Sequence, residues 1–302
     1  MLWLSELEDI AKNKLKLNED LKNHTSWKIG GKATAIIEPQ CVEVLLPILD
    51  FIAKNSIPYF ILGGGTNLLV HDSGFDGIVI STKKLKKIDK ISDTIFVFEA
   101  GVLVADILKI TLCNGLSGWE HMVGIPGTLG GALVGNAGVN GYSAGNSVVW
   151  VERIEKNLSV KKLIDKDIKW AYRESIPLND GSFITKACLK FTKSNKSTIT
   201  ENINFFKLKR SSQPKHGYSA GSVFKNANNR EFAGFLLDKY GCKGLCCGNA
   251  RISVDHANFI LNDGNASSRD VWNLIQQCRN IVLYRHGKWL DLEVKLIGEP
   301  WT

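Results

Sequence analysis

The sequence has no run of about 18 consecutive apolar residues, so no stretch of it reads as a bilayer-spanning helix. Its opening, MLWLSELEDIAKNKLKL, breaks its few apolar positions with acids. It therefore lacks the basic start, apolar centre and small-residue cleavage site of a secretory leader. Cysteine occurs seven times, an odd count, without metal-ligand spacing; Cys242, Cys246 and Cys247 cluster but have no second ligand pair. No metal is expected, and the thiols are expected to be reduced and mostly buried, as in a cytoplasmic protein. No internal repeat or low-complexity tract is present. No zinc finger, aromatic RNA-binding strand or basic helix accompanies the positive charge, which argues against nucleic acid as a partner.

The composition that remains is ordinary for a globular protein: 302 residues, 44% hydrophobic and 23% charged, about two domains by length. The net charge is 38 − 30 = +8, and Lys83, Lys84, Lys86 and Lys87 form one basic run. That run is either a solvated turn or part of a field that attracts anions such as phosphorylated cofactors.

Hydrophobic periodicity organises the chain. Residues 33–39 read as a strand, 42–56 as a helix and 58–62 as a strand, a βαβ-like unit. A second block opens with a strand over 94–100 and a helix over 102–115. VVWVERIEK and VKKLID form a hairpin, and SFITKACLKF a further strand. From about residue 196 the chain turns polar and basic, a helix and linker. Beyond it the pattern predicts strands over 218–225, 250–253, 257–262 and 290–297, with helices over 231–240 and 267–285. Ser267 three residues before Asp270 marks a capping-box start for the last helix.

Two glycine-rich segments carry the first chemical signal. In ILGGGTNLLV no lysine follows the glycines, as a P-loop requires, and the continuation is strand-like, unlike a dinucleotide fingerprint that opens a helix. Its glycine N–H groups, with Thr66 and Asn67, can instead form a nest for phosphate oxygens. The second segment, 124–138, holds six glycines in fifteen residues. That is entropically costly unless backbone passes close to something flat or to another backbone. Two such loops together suggest one long, dinucleotide-like ligand.

A third signal misleads at first. Gly217-Tyr218-Ser219-Ala220-Gly221 fits the G-x-S-x-G pattern of a hydrolase elbow. An elbow sits between a buried strand and a helix, whereas KLKRSSQPKHG upstream is basic and SVFKNANNR downstream is no helix start. Ser222, close to Lys225 and Asn226, is the more interesting serine.

The segments HTSWKIGG, FILGGGTNLLVHDSGFDGIVI, GIPGTLGGALVGNAG, WAYRES, SAGSVFKN, VDHANFILN and LDLEVKLIG occur in the order seen in UDP-N-acetylenolpyruvoylglucosamine reductases. The chain resembles that family from about residue 22 to 299. The resemblance implies an α+β fold, with a two-lobed FAD-binding region of the PCMH/vanillyl-alcohol-oxidase type followed by a smaller α+β substrate-binding domain. Residues 1–82 and 83–208 would be the lobes and 209–302 the substrate domain. It implies FAD and NADPH as cofactors and a UDP-sugar substrate, in a cytoplasmic monomer or weak dimer. The glycine loops place Gly63, Gly64, Gly65, Thr66, Asn67 and Leu68 on the cofactor. From the second loop they add Gly124, Ile125, Pro126, Gly127, Thr128, Gly130, Gly131, Asn136 and Gly138. Arg173, Ser222 and Glu293 match the family's active-site arginine, proton donor and catalytic glutamate. Tyr172, Lys225, Asn226, His256 and Asn258 would face substrate. The pattern departs from the family at Ala227 and Leu292, where proline is usual, and across 244–253, usually richer in glycine.

The implied reaction makes sense of these side chains. Hydride passes from NADPH through FAD to the β-carbon of an enolpyruvyl ether, and negative charge builds on its carboxylate. That charge needs preorganised donors, which an arginine fork supplies. Glu293 assists only if protonated or if it positions a donor, since a bare carboxylate would repel the charge. The α-carbon then takes a proton, which a well-placed serine hydroxyl can give to so basic a centre.

Overall fold

The computed structural model describes residues 3–11, 15–139, 141–175, 182–226, 231–299 and 301. The chain forms two compact units. The first comprises Met1–Lys16, Ile36–Gly64 and Ile78–Ser211; the second comprises Leu17–Ala35, Gly65–Gly77 and Ser212–Thr302.

The helix and second strand of the expected βαβ start lie in the first unit. The helix Val42–Lys54 buries Leu45, Ile48, Leu49, Phe51 and Ile52, the helical spacing of an amphipathic segment. The strand that follows, Tyr59–Leu62, pairs in parallel with Ile78–Ser81. A five-stranded sheet runs in the order Val160–Ile164, Val148–Ile154, Phe183–Lys190, Ile95–Glu99, Ile88–Lys90. Every pairing in it is antiparallel, and Val151, Ala187 and Phe98 stand opposite one another on its core face. Helix Val104–Cys113 and the buried rings of Trp119 and Phe191 complete that core.

In the second unit the long helix Ser268–His286 is the main support. The expected capping box is made: Ser267 Oγ accepts from Asp270 N–H at 3.0 Å, and Asp270 accepts from Ser267 N–H at 2.9 Å. The Asp72 carboxylate also accepts from Ser268 N–H, placing a second negative charge at this helix start. The helix packs over a three-stranded antiparallel sheet, Cys246–Cys247, Ala250–Ile252 and Ile260–Asn262. Trp27 is fully buried in the same core, its indole N–H donating to Ile260 C=O at 2.8 Å.

Several expectations are corrected. The strand expected over 218–225 is irregular backbone with isolated bridges at Tyr218–Asn262 and Phe224–Leu292. The strand expected over 290–297 shortens to Lys295–Ile297, which pairs in parallel with Leu68–Val70. The glycine-rich run contains a short helix, Leu129–Val134, because Leu129, Ala132 and Leu133 recur at helical spacing and are buried. Three of the seven thiols are buried, Cys188, Cys242 and Cys278, so the cysteines are not mostly buried. Ser219 precedes the next helix, Ala233–Lys239, by fourteen residues, and no strand enters it, so the hydrolase elbow is absent. Ala227 lies outside the described residues. Among the described residues no helix is long and apolar enough to cross a membrane, and no cluster of His, Cys, Asp or Glu could hold a metal.

His121 is the most perturbed base in the first unit. It is 3% exposed, packed among the rings of Trp119, Tyr142 and Phe206. Burial lowers its pKa to about 4, with the Arg210 charge adding to the effect against the Ser143 backbone and Glu120. A base whose folded pKa lies below its ordinary 6.5 favours the fold while neutral, and that contribution fades as pH falls from about 6.5 to about 4. The shift corresponds to roughly 3 kcal/mol at most. A pH series of melting temperatures should show an acid-side slope that His121→Phe flattens; an unchanged slope would assign the acid sensitivity elsewhere.

Candidate active site

The two glycine-rich segments meet within the first unit. A Cβ on Gly64 would stand 2.7 Å from Gly127 Cα, and one on Gly63 would stand 2.7 Å from Thr128 Oγ1. The second segment is fastened along residues 100–104: Val104 N–H donates to Gly127 C=O, Leu129 N–H to Val102 C=O and Gly130 N–H to Ala100 C=O. Part of the glycine content thus serves backbone packed on backbone. Thr128 stands at the start of the short helix but makes no capping bond, and its hydroxyl is buried without a hydrogen-bond partner.

An arginine turn lies beside this segment. Ala171 and Glu174 exchange backbone hydrogen bonds around a tight turn that holds Arg173 at φ 56°. A non-glycine residue in that conformation costs roughly 1–2 kcal/mol, which the surroundings must offset. They do so with Asn136, whose amide donates to Ala171 C=O at 3.0 Å and accepts from Gly145 N–H at 3.2 Å. Ser175 adds a hydroxyl bond to Val134 C=O at 2.8 Å. Arg173 donates to Gly138 C=O at 3.2 Å and its cation lies 5.4 Å from the half-exposed Tyr172 ring. Gly138 is needed for its hairpin, since a Cβ there would strike Tyr142 C=O.

Sequence reasoning missed Arg210. It ends the helix Lys196–Lys209, its side chain packs 3.5 Å from the Cβ position of Gly124, and its pKa is lowered by burial and then by the charge of Arg173. Two guanidinium groups close enough to repel mark a place suited to an anion. The stretch around it reads as a basic linker, so only the tertiary packing exposes it.

In the second unit the loop that begins at Gly65 meets Glu293, which in turn is bonded to the residue after Ser222. Gly65 has φ 68°, and a Cβ would overlap His24 C=O. Asn67 donates from Nδ2 to Glu293 C=O at 3.1 Å and accepts from Lys295 N–H at 3.0 Å. Glu293 N–H donates to Val223 C=O at 2.8 Å, which sets it against the residue after Ser222. Asn258 grips the same segment: its amide accepts from Phe224 N–H and donates to Phe224 C=O, both at 2.9 Å, and its own C=O takes Val223 N–H. The amides of Asn258 and Asn136 thus each hold backbone at both ends.

Ser222 lines a cavity of about 310 Å³ together with Asn226, Phe232, Phe235, Lys243 and His256. Asn226 accepts from Ala233 N–H at the start of helix Ala233–Lys239, and Lys225 N–H donates to Asp291 C=O. His256 is packed against Gly234 and accepts on Nδ1 from Asn258 N–H, which leaves its ring proton on Nε2. Burial lowers its pKa, so it is neutral at pH 7.

A dinucleotide cofactor fits what each unit offers. Thr128 Oγ1 beside Gly63 in the first unit, and His24 Nδ1 and Ser26 Oγ beside Gly65 in the second, are buried polar atoms with no partner within the protein. Such atoms are costly unless a ligand satisfies them, and each sits next to a glycine of the GGGTN loop.

The comparisons agree. Residues 33–157 match the FAD binding domain, and residues 213–297 match the C-terminal domain of UDP-N-acetylenolpyruvoylglucosamine reductase. The class is therefore an FAD-binding oxidoreductase with an α+β domain after its flavin region. The reductase of Caldanaerobacter subterraneus subsp. tengcongensis is 36% identical over 99% of both chains. That of Carboxydothermus hydrogenoformans is 38% identical over 93% of both. The solved reductase from Thermus caldophilus superposes with a TM-score of 0.81 at 31% identity, covering 94% of this chain and 98% of the other. The chain belongs to the UDP-N-acetylenolpyruvoylglucosamine reductase family.

Thr128→Val tests the cradle without altering its shape. FAD binding should weaken roughly tenfold, the scale of one lost charge-assisted hydrogen bond, while the cofactor-free protein melts at the same temperature or higher. A lower melting temperature with unchanged FAD affinity would assign the hydroxyl to the fold.

Proposed function

We propose that the chain reduces UDP-N-acetylenolpyruvoylglucosamine to UDP-N-acetylmuramate in peptidoglycan precursor synthesis, with the roles below for its own residues. The family membership over nearly the full length supports the reaction. The hydrogen bond that joins Glu293 to the Ser222 segment is the observation that carries the roles. Residues 1–82 and 83–208 act as cofactor lobes and 209–302 as the substrate domain. The reaction belongs in the cytoplasm, where seven free thiols are stable.

FAD, held by the glycine loops at 63–68 and 124–138, would supply the hydride chemistry for the β-carbon of the enolpyruvyl group, with NADPH as its reductant. Arg173 binds the substrate carboxylate and stabilises the charge that grows on it. Arg210, a second partly buried guanidinium, strengthens the positive field around Arg173. Tyr172 closes one side of the Arg173 cation with its ring.

Ser222 gives the proton that the α-carbon needs. Its hydroxyl is a weak acid, but the carbon receiving the proton is a strong base, so placement decides the rate. The surrounding segment is pinned at Val223, Phe224 and Lys225 by backbone and Asn258 hydrogen bonds, which removes the freedom a flexible loop would have. Glu293, tied to Val223, supports the same proton transfer. The cavity beside Ser222 takes the UDP-sugar: Asn226, Lys225 and the neutral His256 serve its polar groups, and the exposed rings of Phe232 and Phe235 serve a flat base.

Ser222→Ala separates the two half-reactions. Reduction of the bound flavin by NADPH should proceed at the wild-type rate, and its reoxidation by the enolpyruvyl UDP-sugar should slow by about 100-fold or more. Equal loss in both halves would make Ser222 structural.

A further inference from the structure

The cofactor loop and the catalytic glutamate are joined by one side chain. The sequence places Asn67 in the GGGTN motif, where its amide reads as a phosphate donor. In the structure that amide donates to the backbone carbonyl of Glu293 at 3.1 Å. The backbone carbonyl of Asn67 accepts from Lys295 N–H at 3.0 Å, so one residue grips the Glu293–Lys295 stretch twice. On its other side, Glu293 N–H donates to Val223 C=O at 2.8 Å. Both polar groups of the Glu293 backbone are therefore occupied, one by the cofactor loop and one by the segment that carries Ser222.

The geometry points to Asn67 as a positioning residue for the proton-transfer step: its amide fixes Glu293 through that residue's carbonyl and so couples the cofactor loop to the Ser222 segment. This inference rests on the roles proposed above for Ser222 and Glu293. The physical requirement is narrow. Among the described residues 291–294 no regular strand holds Glu293, which begins no ladder until Lys295. These hydrogen bonds, with the neighbouring Phe224–Leu292 bridge and the Lys225 N–H to Asp291 C=O bond, help to place it, and a displacement of about 1 Å in a catalytic group can cost on the order of 100-fold in rate. Asparagine meets the requirement because its amide donates while remaining uncharged. Aspartate has the same shape but offers no N–H and turns a negative oxygen toward the Glu293 carbonyl. Alanine leaves that carbonyl without this donor.

The test uses flavin-loaded Asn67→Ala and Asn67→Asp, with Glu293→Gln and the double variant Asn67→Ala/Glu293→Gln beside them. Four quantities are measured: the dissociation constant for FAD by flavin fluorescence, the reduction rate with NADPH, the anaerobic reoxidation rate with the enolpyruvyl UDP-sugar, and the pH profile of that reoxidation. Both Asn67 variants should reoxidise roughly 10–100-fold more slowly, with FAD affinity and reduction by NADPH within about threefold of wild type. The double variant should be no slower than Glu293→Gln alone by more than about threefold, because the two residues act as one unit. The pH dependence of Asn67→Ala should follow that of Glu293→Gln rather than wild type. A tenfold or larger loss of FAD affinity, or equal slowing of both half-reactions, would make Asn67 a cofactor ligand and overturn the inference. Wild-type reoxidation in the Asn67 variants while Glu293→Gln is impaired would overturn the inference alone. Wild-type reoxidation in Glu293→Gln would overturn the role of Glu293 and the inference with it. Asn67→Asp, which keeps the volume of the native side chain, gives the same discrimination if Asn67→Ala does not fold.

Discussion

The hydrogen bond from Glu293 N–H to Val223 C=O is the contact on which the chemistry of the second unit depends. It lies outside any regular sheet, between two segments far apart in sequence. The Phe224–Leu292 bridge and the bond from Lys225 N–H to Asp291 C=O join the same two segments, and this contact sets Glu293 itself against the residue after Ser222. With it, the loop that carries Asn67, the residue Glu293 and the Ser222 segment form a continuous series of backbone and amide hydrogen bonds. The buried face of helix Ser268–His286 and the fully buried Trp27 give that series a fixed base.

A different constraint governs the first unit. There, the glycines at 63, 64 and 127 allow backbone to lie against backbone, and the arginine turn is held by amide and hydroxyl side chains rather than by a ladder. The strain at Arg173 and the repulsion between Arg173 and Arg210 are both unfavourable in isolation. An anion bound between the two guanidinium groups would offset the repulsion, and strain and like charges of this kind gather at sites arranged for a ligand rather than for stability alone.

Much of this was legible in the sequence because it depends on local pattern. The helices over 42–54 and 268–286, the hairpin at 148–164 and the capping box at Ser267 all follow from spacing within a few residues. The parts that were not legible depend on partners distant in the chain. Residues 218–225 alternate like a strand, yet their hydrogen bonds go to the Asn258 side chain and to Glu293, so no strand forms. Asn136 and Asn258 look like ligand contacts by their motif position, and the backbone each amide also holds lies far away in the chain. Arg210 gave no local signal, because a basic residue in a basic stretch looks solvated until its burial beside Arg173 is known.

The central claim is that flavin held by this chain passes its electrons to an enolpyruvyl UDP-sugar. Anaerobic rapid mixing of the fully reduced protein with UDP-N-acetylenolpyruvoylglucosamine tests it most directly. The oxidised flavin absorbance should return in a single turnover, at a rate no slower than steady-state turnover, with one UDP-N-acetylmuramate formed per flavin. Reduced flavin that persists in the presence of saturating substrate would contradict the account.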